Sequence, residues 1–516
     1  MSIMPHGWNS IFTTHDRIKA VVLGLSSAVL LAGCSTMAPD SAAPAIVAQQ
    51  PETFGANAAV GEYRPAAWWQ SYEDPVLNAL VEEALRENLD LVEAAARLAR
   101  ANAQARIARS ALLPSLNGTV SGSYSDSPLA GSGFGSLGSA AVPGDDPAAE
   151  PVDTGPDRLT VENYGVSLGA SYELDLFGRN RSELAAARAD AAAAAQDYRT
   201  LQLAAASEAI SSYFEIVDAR RQVQLTLSTA DVLRDRVERT EDRFQRGLAE
   251  SFEVYQLRQD LRSTQSALPT REIALENAAN RLALVLADYP AETRGKIDRS
   301  LRPRLDFSPV PTGLPIELLA QRPDIAAAWN RLEAARLRIG ARRAERFPIL
   351  SLNGSLGTQA GDPAGAFDFV NNWLTSLAAS AVAPLFDGGR TSANIRAARA
   401  TYDEQAAAYG RTVLSAHGEV VTALEEYEEQ RQRYRILAAQ EREAQSALSL
   451  QAARFRRGVG TYTAFLDAQR ALYQVESAIS GAARDVALAR LGVHRALGGD
   501  WTTEDIAPDI IDGEIP

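Results

Sequence analysis

The sequence predicts an α+β fold built from two copies of a helix–β-hairpin–long-helix unit. The first observation is a stretch of 68 residues, 179–246, that has no glycine or proline and is rich in strong helix formers. A shift of 211 positions then lays this stretch on residues 390–457. Ahead of each stretch the apolar periodicity changes from helical to alternating. We therefore predict two long helices, each preceded by a pair of strands.

The boundaries of the two copies follow from the same comparison. Each copy should begin with an amphipathic helix, the first at about 74–112, where Pro114 prevents its continuation. Repeat 1 is predicted at 74–288, with strands at about 115–125 and 164–177 and a long helix at 179–246. Repeat 2 is predicted at 316–498, with strands at about 349–358 and 373–386 and a long helix at 390–457. A proline- and charge-rich linker at 289–315 joins the repeats, and an acidic tail follows at 499–516.

The strand predictions rest on a period of two. In the first strand the even positions Leu116, Val120 and Tyr124 are apolar, and the odd positions are serine, asparagine or threonine. The second strand alternates in the same way around Val166 and Leu168. A loop of about 35 residues that is rich in Gly, Ser, Pro and Asp joins them. Each hairpin should therefore have one apolar face and one polar face.

Composition excludes several classes of function. The formal net charge of -14 argues against nucleic-acid binding, which needs a basic face. His6 and His15 fall in a predicted signal, and His417 and His494 are isolated on helices, so we expect no metal site. The sequence also has no phosphate-binding loop and no cluster of catalytic residues. We therefore predict neither enzymatic activity nor a cofactor.

The N-terminus has the pattern of an export signal. Arg17 and Lys19 precede an apolar run at 20–32, so residues 1–33 are predicted to be a signal peptide and 34–73 a tether with its adjoining segment. The run ends in Leu-Ala-Gly-Cys, which resembles a bacterial lipobox and predicts lipid attachment, of the palmitate type, at Cys34. Ser35 at the next position implies sorting to the outer membrane. The alternative is an ordinary signal with a chance cysteine.

Four strands with one apolar face cannot be stable alone in a membrane, because an open sheet leaves unpaired backbone groups in hydrocarbon. The strands either pack on a soluble core or join those of other copies in a closed barrel. The predicted signal favours the barrel. Three copies would supply twelve strands, a number within the range of bacterial barrels. Their long helices would form a hollow cylinder of about 100 Å, at a rise of about 1.5 Å per residue.

Each long helix ends at a glycine. Gly247 and Gly458 follow similar Arg-Phe-containing segments, and we predict that each forms a left-handed helix cap. The sequence Leu466-Asp467-Ala468 lies shortly after the second glycine. Spacing alone leaves two interpretations of Asp467 open. It is either a solvated acid after a capping turn or, in three copies, a ring of like charges that narrows an axial channel.

These features together resemble the TolC-like outer-membrane factors, and the lipobox places the chain in their NodT-like lipoprotein branch. The resemblance rests on Trp68-Trp69, on Asp74-Pro75-x-Leu77, on Asn88-x-Asp90, on the duplication, and on Arg-Phe-x-x-Gly followed by Leu-Asp-Ala-Gln. It implies a homotrimer with a twelve-stranded outer-membrane β-barrel that continues as a long periplasmic α-helical barrel. It also implies an equatorial region made of the segment before residue 74, the linker 289–315 and the tail 499–516.

The resemblance also implies a function and site residues. The expected function is the exit duct of a tripartite efflux system, which passively exports drugs or other small toxic compounds and contributes to multidrug resistance. Its expected partners are a periplasmic adaptor, an inner-membrane pump and outer-membrane lipid. A pump of the resistance-nodulation-division type is expected, and the major-facilitator and ABC types stay open. Asp467 falls on the acid that forms the periplasmic constriction. The residues implied in adaptor docking are Arg246, Gly247, Leu248, Arg457, Gly458, Val459 and Gly460.

The chain departs from some relatives near this constriction. A second acid three residues before the ring is replaced here by Ala464. A tyrosine and an arginine that close the tip in some relatives correspond to Phe455 and Gly460. A second functional class also remains open, a periplasmic coiled-coil adaptor or structural lipoprotein of an envelope export complex. Such an adaptor would need lipoyl-type and β-barrel segments in place of the two hairpins.

Overall fold

A computed structural model describes residues 37–40, 68–128, 158–297, 310 and 322–499. Cys34, the predicted signal, most of the tether, the tip of the first hairpin and the C-terminal tail lie outside these residues. The chain divides into two compact units. The first comprises the described residues of Met1–Asp40, Gln104–Ala187 and Ala335–Ala400. The second comprises those of Ser41–Ala103, Arg188–Ala334 and Thr401–Pro516.

The first unit contains an antiparallel sheet of four strands in the order β1-β2-β3-β4. The strands pair in register so that, for example, Leu168 lies opposite Leu356 and Thr358 lies opposite Trp373. The strands are β1 (Ser115–Pro128), β2 (Arg158–Leu174), β3 (Ile349–Ala360) and β4 (Trp373–Val382).

The two faces of this sheet differ in chemistry. Because paired residues share a face and side chains alternate along each strand, the register places Leu116, Val120, Leu168, Leu356 and Leu377 on one side. The opposite side carries mainly Ser, Asn, Thr and Gly. One face is therefore apolar and the other polar.

Strand ends differ from the sequence prediction for local reasons. β1 and β2 extend further toward the first hairpin loop, where Arg158 forms an ion pair of 2.9 Å with Asp126. The prediction that β2 reaches residue 177 is wrong: the strand ends at Leu174, and the Asp175 carboxylate accepts hydrogen bonds from the backbone N–H groups of Asn180 and Arg181. β4 ends at Val382 instead of residue 386, shortly before Pro384, which has no backbone N–H to donate.

The helices are, in chain order, α1 (Pro75–Glu87), α2 (Leu89–Ser110), α3 (Arg179–Gln245), α4 (Ser251–Val285), α5 (Pro290–Ile297), α6 (Pro323–Ala344), α7 (Arg390–Arg456) and α8 (Tyr462–Ala496). Both predicted long helices are present, α3 and α7, each 67 residues long. Gly410 and Gly418 do not interrupt α7. The linker predicted at 289–315 contains helix α5, with Pro290 at its first position, where the missing N–H has no helical partner to lose.

The single helix predicted at 74–112 is wrong, because the chain breaks at Asn88 into α1 and α2. The Asn88 side-chain oxygen accepts hydrogen bonds from the backbone N–H groups of Asp90 and Leu91, which begins α2. Its side-chain amide donates to the carbonyl of Val285 at the end of α4. Asn88 therefore starts one helix and attaches it to another, which explains the Asn-x-Asp motif.

Asp74 has a similar role at the start of α1. Its carboxylate accepts hydrogen bonds from the backbone N–H groups of Val76 and Leu77, and Pro75 occupies the first helical position. The second carboxylate oxygen accepts a hydrogen bond from the buried Tyr213 hydroxyl of α3. The Asp-Pro-x-Leu motif is thus a helix cap that also fixes α1 against the long helix.

Two large apolar clusters lie in the described part of the second unit. The first is formed by the Trp68–Tyr72 turn, α1, α3, α4 and the end of α8, and includes the fully buried Leu77, Ile210 and Leu282. The second is formed mainly by α6, α7 and α8 around Ile325, Val420 and Val493. The two long helices therefore lie in separate clusters, and α8 contributes to both.

Candidate functional site at the helical turns

The two turns between long and short helices have the same backbone geometry. Gly247 and Gly458 have φ angles of 70° and 74°, the left-handed conformation that favours glycine. In the first turn Gly247 N–H donates to Phe244 and Leu248 N–H donates to Arg243. The second turn repeats this pattern between Gly458 and Phe455 and between Val459 and Arg454. Both are Schellman caps, so the capping predicted for these glycines is confirmed.

Each cap presents an apolar side chain to solvent. Leu248 and Val459 occupy equivalent positions in the two repeats, and their exposed fractions are 64% and 68%. A basic residue precedes each glycine; Arg246 pairs with Asp242 at 2.9 Å, and Arg457 is exposed. The turns are therefore similar surfaces with an apolar centre and a basic edge.

The second turn is more firmly packed than the first. A Cβ added at Gly460 would lie 3.0 Å from the Arg454 Cβ, which explains why this position is glycine. The Thr461 side chain then caps α8 by accepting a hydrogen bond from Ala464 N–H. Phe455 stacks on Phe465 with ring centroids 6.0 Å apart, and the Arg236 guanidinium of α3 lies 4.2 Å from the Phe465 ring centroid. By contrast, Glu250 caps α4 with no side-chain hydrogen bond.

Asp467 lies one and a half turns into α8, and its side chain is 63% exposed. The Arg470 guanidinium approaches the Asp467 carboxylate at 3.4 Å and forms a closer ion pair with Asp260 of α4. Leu466, the residue before Asp467, is buried against Leu233 of α3 and Leu257 of α4. The apolar residue thus anchors this part of α8 while the neighbouring carboxylate faces solvent.

Motifs in the sequence mark Asp467 and the seven turn residues, but they do not mark three side chains that pack nearby, Arg470, Asp260 and Arg236. Arg470 could have been found, because a basic residue three positions after an acid on a helix can pair with it. Asp260 and Arg236 could not, since their contacts join positions more than 200 residues apart. Phe455 and Gly460, the two positions at which the sequence was expected to depart from some relatives, take part in packing within the second turn.

The N-terminal site is only partly described. Cys34 lies outside the described residues, but Met37–Asp40 follow three positions later. The Arg343 guanidinium donates to the Met37 carbonyl at 3.1 Å, and Arg336 donates to the Pro39 carbonyl. Gly340 makes room for this segment, because an added Cβ would lie 2.7 Å from the backbone nitrogen of Ala38. Helix α6 therefore holds the chain just after the predicted lipid-attachment residue.

The described residues show no arrangement for catalysis. No group of three or more His, Cys, Asp or Glu side chains in these ranges could hold a metal ion. His494 stacks on Trp68 with ring centroids 4.9 Å apart, and burial, together with the nearby Arg490 charge, lowers the pKa of its imidazole to about 3. It is a neutral core residue at ordinary pH.

Of the helices described, none combines the length and the apolar composition needed to cross a lipid bilayer.

Comparison with known proteins decides the class. The family described as "Outer membrane efflux protein" matches residues 80–288 and 314–499. The chain belongs to this family. It is similar to the outer membrane protein OprJ of Pseudomonas aeruginosa, with 32% identity over 93% of this chain and 96% of OprJ. It is also similar to the pyoverdine export outer membrane protein OpmQ of the same species, with 30% identity over 93% of this chain and 97% of OpmQ.

The fold agrees with this assignment. The solved structure of the outer-membrane channel OprN matches with a TM-score of 0.77 and 28% identity, and covers 90% of this chain and 100% of that one. The efflux protein described here is a non-enzymatic outer-membrane duct with the TolC-like fold. It works as a trimer with an adaptor and an inner-membrane pump in a tripartite efflux system. The alternative of a periplasmic adaptor is thereby excluded.

Proposed function

We propose that the turns around Gly247 and Gly458 are the docking surface for the adaptor. The observation that carries this proposal is the pair of Schellman caps with equivalent exposed side chains, Leu248 and Val459. Buried apolar anchors surrounded by polar groups dominate the energy of protein interfaces. Arg246, Arg457 and the close-packed Gly460 complete the surface. Three copies would present six such turns at the periplasmic end, which suits a ring of adaptor hairpins.

The same proposal assigns the constriction to Asp467. Its carboxylate is exposed, and the buried Leu466 holds this part of α8 in place. Three copies around the axis would bring like charges together and attract cations. We propose that the duct serves a pump of the resistance-nodulation-division type and passes drugs or other small toxic compounds. In this mechanism the pump selects the compound, and the duct provides a path across the periplasm and outer membrane.

The docking surface is tested by placing charge on its apolar centre. Leu248→Asp combined with Val459→Asp should abolish drug export, because burying an unpaired carboxylate in the contact is costly. The minimal inhibitory concentration of an exported drug, measured in cells that lack the native duct, should fall to the value of the deletion strain. Heat-resistant trimer bands should be unchanged. Leu248→Met with Val459→Met is the control and should keep export; full export by the double Asp variant would contradict docking here.

We further propose that Cys34 carries a lipid that supplements the barrel as a membrane anchor. A single acyl chain binds a membrane only marginally, whereas a closed barrel inserts by itself. Cys34→Ser, made with an ordinary cleavable signal, should therefore still yield trimers in outer-membrane fractions. Membrane fractionation followed by detection of the trimer band measures this. A variant found wholly soluble and monomeric in the periplasm would show that the lipid is the main anchor.

A further inference from the structure

The loop between β3 and β4 folds back over the apolar face of the sheet. Thr358 lies on this face opposite Trp373, and its hydroxyl donates a hydrogen bond to the Ala366 carbonyl. Both Thr358 and Ala366 are buried. Gln359 N–H donates to the Asn372 carbonyl at 3.1 Å, which closes the base of the loop. The loop therefore has a defined position on the side of the sheet that carries Val120, Leu168 and Leu377.

Internal hydrogen bonds hold the loop in shape. The Asp362 carboxylate accepts a hydrogen bond from Gly365 N–H at 2.8 Å. The Asp368 carboxylate accepts hydrogen bonds from the backbone N–H groups of Val370 and Asn371 and from the Asn371 side-chain amide. Asn372 donates to the Gly365 carbonyl at 3.0 Å. Such a loop can form a fixed wall.

Between this wall and the sheet is an apolar groove of about 640 Å³. This volume is within the range of small-molecule sites, about 300–1,000 Å³. Its floor includes Gly118, Leu168 and Leu356, the loop contributes Phe369, and Trp373 at the start of β4 borders the groove. No charged residue lines it. Gly118 creates a depression in the floor, because an added Cβ at this position would have no atom within 4 Å.

The groove opens on the surface that the membrane covers. In an outer-membrane duct the apolar face of the strands contacts lipid, and the polar face lines the channel. Leu168, Leu356, Phe369 and Trp373, which line the groove, are each more than half exposed in the single chain. Because hydrocarbon surrounds this face, the groove is continuous with the lipid phase, and apolar chains rather than water should fill it.

We propose that the groove is a binding site for one acyl chain of a free membrane lipid. The chemistry of the lining recognises hydrocarbon and offers no cation for a headgroup phosphate. The groove lies near the hairpin end of β3, and the helical segments join the strands at the opposite end. The lipid of Cys34 is a poor candidate, because Met37 is held on α6 and three residues span at most about 11 Å. Leu356 of the groove lies seven residues after Ile349, the first residue of β3, and is therefore about 23 Å further along the strand.

The proposal is tested by filling the depression. Gly118→Leu should occupy the groove without disturbing the strand, since the new side chain enters open space. Native mass spectrometry of the purified trimer, during stepwise removal of lipid with detergent, should show three retained lipids for the wild type and about tenfold weaker retention for Gly118→Leu. Gly354→Leu is the matched control; Gly354 is on the same face outside the groove, and its new Cβ would make only ordinary contacts. This control should retain three lipids.

Two further experiments identify which lipid supplies the acyl chain. Adding dimyristoyl phosphatidylethanolamine or dimyristoyl phosphatidylglycerol to the delipidated trimer should restore binding equally, because the lining is uncharged. Cys34→Ser should retain lipid as the wild type does; loss of the signal in this variant would mean that the protein's own lipid fills the groove, and would overturn the proposal. Phe369→Ala, which removes part of the wall, should weaken retention. Equal retention by Gly118→Leu and the wild type, or none by the wild type, would also overturn it.

Discussion

Replacing Asp74 with alanine is expected to destabilise the helical unit by about 3 kcal/mol. The change removes the cap of α1, worth about 1 kcal/mol, and leaves the buried Tyr213 hydroxyl without its acceptor, which costs about 1–3 kcal/mol more. Asp74 is only 6% exposed, so water cannot easily replace the lost carboxylate. Burial, reinforced by the hydrogen bond to Asp74, raises the pKa of Tyr213, so the hydroxyl keeps its proton throughout the neutral range.

Thermal unfolding followed by circular dichroism at a fixed scan rate measures this effect. Asp74→Asn should be milder, because asparagine caps helices about as well as aspartate. Tyr213→Phe should cost about 1 kcal/mol, and the double variant Asp74→Ala/Tyr213→Phe should lose less than the sum of the single changes, since the two residues share one interaction. Asp90→Ala is the matched control, because Asp90 is an exposed acid in the first turn of α2. A smaller loss for Asp74→Ala than for Tyr213→Phe would contradict the assigned role.

The second large effect is expected at the proposed constriction. Asp467→Ala should relieve the block of single-channel conductance by a trivalent cation such as hexaamminecobalt. If each of three carboxylates contributes about 1 kcal/mol to binding the blocker, the blocking concentration should rise by about a hundredfold. Cation selectivity should also fall. Planar-bilayer recordings of purified trimers give both quantities, and trimer stability should remain unchanged because apolar packing holds α8 elsewhere.

Neighbouring charges make this test sharper. Arg470 partly offsets Asp467, so Arg470→Ala should lower the blocking concentration, although it also removes the ion pair with Asp260. Asp231→Ala is the matched control, because Asp231 pairs with Arg234 three residues later on α3 and is similarly exposed at 69%. Asp485 is a poorer control, since it accepts from both Arg433 and Arg484. If Asp467→Ala and wild type were blocked at the same concentration, Asp467 would be an ordinary solvated acid.

Local pattern was sufficient for much of the fold. The absence of glycine and proline predicted α3, and the alternation around Val120 and Leu168 predicted which strand face is apolar. Gly247 and Gly458 were predicted as caps because few other residues adopt their backbone conformation. The sequence pattern did not predict features that depend on contacts between side chains distant in sequence. Nothing in the helical periodicity of residues 74–112 shows that Asn88 will bind the end of α4.

The candidate site likewise contains residues that the sequence predicted and residues that it did not. The turn residues and Asp467 were identified through motifs, whereas Asp260 and Arg236 depend on how three helices pack. The lipid groove was missed for another reason. Asp368 lies in the loop between the two predicted strands of repeat 2, but neither the internal hydrogen bonds of this loop nor the face over which it folds can be deduced from its composition. The depression at Gly118 in the floor of the groove also depends on how the strands pair, so the sequence of one strand alone does not predict it.

The unequal packing of the two turns has a consequence for the symmetry of the periplasmic end. Gene duplication supplies six homologous turns in a trimer, but only three of them have the threonine cap, the stacked phenylalanines and the arginine on the ring. The other three, around Gly247, are followed by α4, which begins without a side-chain cap and whose Phe252 and Tyr255 are largely exposed. If the six turns form the docking rim proposed above, closely packed turns would alternate around it with turns that have fewer side-chain contacts. A ring of identical adaptor subunits would then meet two kinds of turn, and we expect the less packed kind to adjust to the adaptor while the closely packed kind sets its position.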